Sequence, residues 1–172
     1  MNIEILKFGG SSLASAEELR KVADVLLARR AQQRVVVCSA MGGVTNDLIN
    51  IGLKATRGDE GFRFAISELE KRHLHVAREL GIFNDEVGND EGTNGNSELP
   101  NELQVRLNEL KALCDGLYLI GELSAKSMDQ LVSFGERMAV PLVAAWLRSN
   151  GLNVRRTDAR DWIKTDEHYG AA

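Results

Sequence analysis

Two apolar runs separated by a single helix constrain this chain more than any other feature. Ile3-Glu4-Ile5-Leu6 breaks off at Lys7-Phe8-Gly9-Gly10-Ser11-Ser12, and Arg34-Val35-Val36-Val37-Cys38 follows some twenty-five residues later. Between them Ser15 and Glu18 form a capping box, and Leu19, Val22, Ala23, Leu26 and Leu27 recur at helical spacing, which predicts a helix from about Ala16 to Arg30. Strand, loop, helix, strand is a βαβ unit, with a right-handed crossover and parallel strands. The unbroken β-branched run is of the kind that parallel sheets bury on both faces.

The second strand also ends in glycines, Ser39-Ala40-Met41-Gly42-Gly43-Val44, before Thr45 opens a helix carrying Leu48, Ile49 and Leu53. Ligands of open parallel sheets sit outside the carboxyl ends of the strands, so the two glycine loops should lie side by side at one edge. Glycines there let the backbone turn tightly and bare its N–H groups, while the next helix aims its positive end at the same spot. Lys7, last in its strand, brings an ammonium against phosphoryl oxygens, and Ser11 and Ser12 add hydroxyls. Alone, Gly9-Gly10 is equally a plain tight turn, since neither GxGxxG nor GxxxxGK[ST] is present. Ser39 alone is an ordinary loop residue, and Thr45 alone a helix N-cap.

Composition narrows the ligand. At 172 residues, 44% hydrophobic and 27% charged, the chain suits one globular domain. Lys and Arg total 21 against 25 Asp and Glu, a net charge of -4, so no overall positive field invites nucleic acid and a small molecule is expected. No apolar run is long enough to cross a bilayer, and the alternating N-terminus lacks the core of a secretory signal, so the expected location is the cytoplasm. Cys38 and Cys114 lie in apolar segments without metal-ligand spacing and are expected in the core.

Further helices are predicted from Glu60 to Leu80 and from roughly Glu102 to Ile120, the second facing Leu103, Leu107, Leu110, Leu113, Cys114 and Leu117 inward. His73 and His75 are two apart and cannot form an i, i+4 metal pair. Asn84 to Asn101, rich in Asn, Asp, Glu and Gly, is expected to be a flexible loop without EF-hand spacing. A capping box at Ser127 and Gln130 predicts a long segment over Met128–Ser149 that Pro141 should kink or interrupt. Within it, Gly135 implies a close approach by another group, and Glu136, if it faces inward, needs a cation or a donor; a surface pair with Arg137 is the alternative. Leu152–Arg156 reads as a third strand, and Asp158–Thr165 as a short helix or loop.

The three stretches Lys7–Ser12, Ser39–Asn46 and Ser133–Glu136, in this order and at these separations, resemble the aspartate kinases of the amino acid kinase superfamily. The similarity runs from Met1 to Ala172, is weakest over Asn84–Asn101, and includes Thr165-Asp166 with Tyr169-Gly170. It implies a three-layer αβα fold with a mainly parallel central sheet. It also implies phosphoryl transfer from ATP, with Mg²⁺, to the β-carboxylate of L-aspartate, a step toward lysine, threonine, methionine and isoleucine. By position, Lys7 contacts the transferring phosphoryl group and is the catalytic candidate. Gly9, Gly10 and Ser11 cradle the phosphates, with Ser11 where the family more often has threonine. Ser39, Thr45 and Glu136 hold the amino acid, Glu136 pairing with its α-ammonium.

Phosphoryl transfer to a carboxylate needs no strong base, because the nucleophile is already anionic; the task is to bring two anions together, and the cationic groups above suit it. Family members continue into a Gly-Arg-Gly-Gly-Ser-Asp stretch, a nucleotide base pocket and regulatory domains, none of which occurs here. The expectation is an incomplete fold holding only the N-terminal lobe, inactive alone, from an enzyme that is a homo-oligomer at full length. The alternatives are a non-enzymatic half-domain that associates with a partner, or a superfamily member acting on another carboxylate.

Overall fold

The computed structural model describes residues 3–29, 33–83, 98–166 and 168–170. Strand β1 (Ile3–Phe8) and strand β2 (Gln33–Cys38) pair in parallel, with Ile5 opposite Val35 and Lys7 opposite Val37. Helix α1 (Ala16–Leu27) joins them, and Ser15 caps it by accepting a hydrogen bond from the Glu18 N–H. Helices α2 (Val44–Thr56), α3 (Gly61–Glu79), α4 (Glu98–Ile120), α5 (Ala125–Val132), α6 (Phe134–Ser149) and the short α7 (Ala159–Trp162) follow.

One continuous core joins the inward faces of α1 to α6 to one side of the sheet, where Leu6, Phe8, Val36 and Cys38 pack. The indole N–H of Trp146 on α6 donates to the Leu19 carbonyl of α1 at 3.0 Å, tying the last long helix to the first. The other side of the sheet is not covered by any of the described residues. There Ile3, Ile5, Val35 and Val37 are 58%, 72%, 48% and 45% exposed. Among the described residues the fold is therefore an α/β sheet with one helical layer, an incomplete form of the three-layer arrangement, since parallel sheets ordinarily have both faces covered.

Several boundaries differ from the expected ones. Most of the loop expected from Asn84 to Asn101 lies outside the described residues, but its last four positions, 98–101, open α4, because Leu99 finds a buried place in the core. The segment expected from Met128 to Ser149 is two helices that meet at Ser133, and its capping residue is Ser124, which accepts from the Ser127 N–H. Helix α6 runs on through Pro141, which is buried. The third strand does not form among the described residues. Leu152, Val154 and Arg156 alternate inward as a strand would, but the Val154 carbonyl is taken by the Arg148 guanidinium (Nη2 at 2.9 Å). A cavity of about 390 Å³ is lined by this segment, by β2 and by α6.

Cys114 is buried in the core as expected, whereas Cys38 is half-buried against it; burial pushes the Cys38 thiol up to about 11 and the Cys114 thiol up to about 12. His73 is 1% exposed and packs as a core residue. Its Nδ1 lies 2.8 Å from the Leu69 carbonyl, which can only accept, so Nδ1 carries the proton and Nε2 is buried without a partner. Protonating Nε2 would bury an unpaired charge, and burial accordingly lowers the histidine's pKa.

Two outcomes follow. With folded His73 neutral, the unfolded chain binds the extra proton below about pH 6.5, so stability falls as pH drops through that value. Denaturant midpoints should therefore decline from about pH 7 to about pH 5, and His73→Leu should flatten that decline. Leu107→Ala, in the core, should cost about 2–5 kcal/mol in urea unfolding, against about 0.5 kcal/mol or less for Leu119→Ala on the surface.

Candidate functional site

At the carboxyl ends of β1 and β2 the two glycine loops touch. The Ser39 N–H donates to the Phe8 carbonyl at 3.1 Å, extending the strand pairing into the loops. A Cβ on Gly10 would lie 3.1 Å from the Ala40 carbonyl oxygen, and one on Gly42 would lie 3.1 Å from the Gly10 carbonyl oxygen and 3.0 Å from the Ala14 side chain. Gly10 and Gly42 are thus required by mutual approach. Neither they nor Gly9 has positive φ; only Gly43, at φ 84°, needs glycine for its backbone conformation. Gly9 is extended and would meet nothing within 4 Å. The expected tight turn is in fact a single 3-10 turn, Gly10–Leu13, closed by the Ser12 N–H donating to the Gly9 carbonyl.

This turn separates the first loop from α1, whose N-terminus is capped by Ser15 and so is set back from the loop. The positive helix end at the loops belongs to α2. Its N-cap is Gly43, no side chain caps it, and Thr45 stands exposed in its first turn instead of capping it. A helix N-terminus of this kind carries partial positive charge.

Glu136 reaches the same place from the first turn of α6. Its Oε1 accepts from the Ala40 N–H at 3.2 Å across ninety-six residues of sequence. Gly135 makes that approach possible: a Cβ there would come within 2.6 Å of the Ala40 side chain, the close contact expected from sequence. Arg137, next along, does not pair with Glu136; it is held by Glu109 and lies over the Phe134 ring. Ser39, half-buried, begins the loop that Glu136 grips.

Lys7 belongs to the open side of the sheet, beside Val37, while α6 packs against the other side. Lys7 and Glu136 therefore arrive at one edge from opposite faces. Lys7 is exposed and makes no ion pair or hydrogen bond among the described residues, and Ser11 stands exposed in the 3-10 turn. The edge thus combines a free ammonium, backbone donors and an uncapped helix end with a carboxylate opposite.

One residue that holds the second glycine loop escaped the sequence. Arg72 of α3 donates through Nη2 to the Gly42 carbonyl and pairs through Nη1 with Asp47 at 3.1 Å. Nothing in local spacing joins a residue to a loop thirty positions earlier. Its neighbour His73 faces the core, which marks only which side of the helix packs.

Residues 2–171 match the family model described as the amino acid kinase family, and the chain belongs to that family. Within it, the similarity is to aspartokinases. The chain is 34% identical over 168 residues to aspartokinase 1, chloroplastic, of Arabidopsis thaliana, covering 95% of this chain and 27% of that protein. It is 35% identical over 172 residues to aspartokinase 3, chloroplastic, of the same plant, covering 97% of this chain and 28% of that one. The crystal structure of E. coli aspartokinase III in complex with aspartate and ADP (R-state) superposes with a TM-score of 0.81 at 25% identity, over 98% of this chain and 34% of that one. The chain therefore spans about a third or less of the length of these relatives. Among the described residues no helix is long and apolar enough to cross a membrane.

The packing predicts opposite outcomes at two glycines. Gly135→Ala should destabilise by about 1–3 kcal/mol in urea unfolding despite alanine's better helix propensity, because its methyl must displace Ala40. Gly9→Ala should leave stability within about 0.5 kcal/mol, having open space and an ordinary conformation.

Proposed function

We propose that this chain is the N-terminal lobe of an aspartate kinase. In this role it holds the α-ammonium of L-aspartate and the phosphates of ATP for transfer to the β-carboxylate, giving 4-phospho-L-aspartate. The observation that carries it is the Glu136 bond to Ala40, which brings an acid from a distant helix to the edge of the glycine loops. Oε1 is engaged there, and Oε2 is left for the ammonium of the substrate. Ser39 and Thr45, on either side of Ala40, supply hydroxyls to the rest of the amino acid.

On the phosphate side, Lys7 brings positive charge from the open face, and Gly9, Gly10 and Ser11 offer backbone and hydroxyl donors. ATP supplies the phosphoryl group, and Mg²⁺ accompanies it as counter-ion; no group of three metal-ligating side chains occurs among the described residues. The aspartate carboxylate oxygen attacks the terminal phosphorus while the bond to the bridging oxygen breaks, leaving ADP. The nucleophile is anionic from the start, so the protein's task is neutralisation and alignment. Lys7 offsets charge on the transferring group, and the uncapped end of α2 supports the same field.

The complex of E. coli aspartokinase III with aspartate and ADP supports this ligand pair. The open apolar face supports a second reading in which the chain works only once another polypeptide covers it. Calorimetry separates the choices of substrate: L-aspartate should bind, N-acetylglutamate should not, and Glu136→Ala should abolish binding. Equal affinity for the acetylated compound would remove Glu136 from the ammonium site. A coupled assay on the chain alone should give no sustained ATP- and aspartate-dependent turnover.

A further inference from the structure

The loop Ser39–Gly43 is gripped from two helices at once. Helix α6 holds its first half, through Glu136 on the Ala40 N–H and the contact of Gly135 with Ala40. Helix α3 holds its second half, through Arg72. That guanidinium spans two elements, donating to the Gly42 carbonyl from Nη2 and to the Asp47 carboxylate on α2 from Nη1. Gly43, the left-handed residue that starts α2, lies directly against it: a Cβ there would be 3.6 Å from both terminal nitrogens. Only a planar fork with donors on both arms can serve a carbonyl and a carboxylate in this way.

We infer that Arg72 is a positioning residue for the amino acid pocket: it locks the Gly42 carbonyl toward α3, and so fixes the loop conformation in which the Ala40 N–H meets Glu136. The step is mechanical. Ala40 and Gly42 are two residues apart in a loop whose other side packs against Gly10 and Ala14, so releasing the Gly42 carbonyl removes the tether that sets the orientation of that peptide from the α3 side. The role in substrate binding rests on the aspartate site proposed above; the role in loop geometry does not.

The test uses the intact chain and the variants Arg72→Met, Arg72→Lys and Asp47→Asn, with residue-resolved amide hydrogen exchange and calorimetry with L-aspartate. Arg72→Met should speed exchange at Ala40 by about tenfold while leaving Leu107, in the core of α4, unchanged. Arg72→Lys should recover part of the protection, since an ammonium can still reach one of the two acceptors. Asp47→Asn, which keeps the Gly42 bond, should hold Ala40 close to its original rate. L-aspartate affinity should fall in Arg72→Met and return in part in Arg72→Lys. Unchanged exchange at Ala40 in a folded Arg72→Met chain would overturn the inference, as would an equal rise at Leu107, which would make Arg72 a general stabiliser. If the unsubstituted chain binds no L-aspartate, the proposed substrate fails, and the exchange pattern alone decides whether Arg72 sets the loop.

Discussion

The contact between two loops, each hanging from the end of a parallel strand, governs the architecture of this chain. Gly10 and Gly42 approach so closely that a methyl group on either would meet backbone at 3.1 Å. No side chain fits at either glycine, so their peptide groups pack against one another, with the Ala14 methyl closing one side. The strand pairing continues into the seam through Ser39 and Phe8, which carries the register of the sheet into the site. A seam built in this way depends on backbone position more than on any side chain.

Charge is distributed around the seam by face. The carboxylate of Glu136 comes from the helical layer that packs the core, whereas Lys7 stands on the side of the sheet that no described element covers. Glu136 thus stands on the half of the edge that the helical layer backs. Lys7 and Ser11 stand exposed on the other half. The exposed Ile3, Ile5, Val35 and Val37 share the side of Lys7, which no described element covers although parallel sheets ordinarily have both faces covered.

Much of this was legible in the residues. The βαβ unit, the capping box at Ser15 and the apolar stripes of α3 and α4 follow from local periodicity, which depends only on near neighbours. The close approach at Gly135 was also readable, because a glycine amid good helix formers has to be explained by something. Three features were not. Ser133 breaks the segment that Pro141 was expected to break, because Pro141 lies buried against a core that tolerates it and Ser124 supplies the earlier cap. Leu152–Arg156 has strand alternation without a strand partner among the described residues, and alternation reports which side is buried, not who pairs. Gly9 and Gly10 looked alike, yet one is free in space and the other wedged.

By itself the sequence determined the elements and the candidate chemistry: two parallel strands, glycines where each ends, a lysine on the first and an acid far downstream. Periodicity and residue type are local properties, and local forces settle them. Only the tertiary structure decided that Glu136 is tied to Ala40, that Arg72 clasps the same loop, that α2 and not α1 presents its uncapped end, and that no described element covers one face of the sheet. Each of these joins positions tens of residues apart, and such pairings are chosen by how whole layers pack, which no stretch of the chain encodes alone.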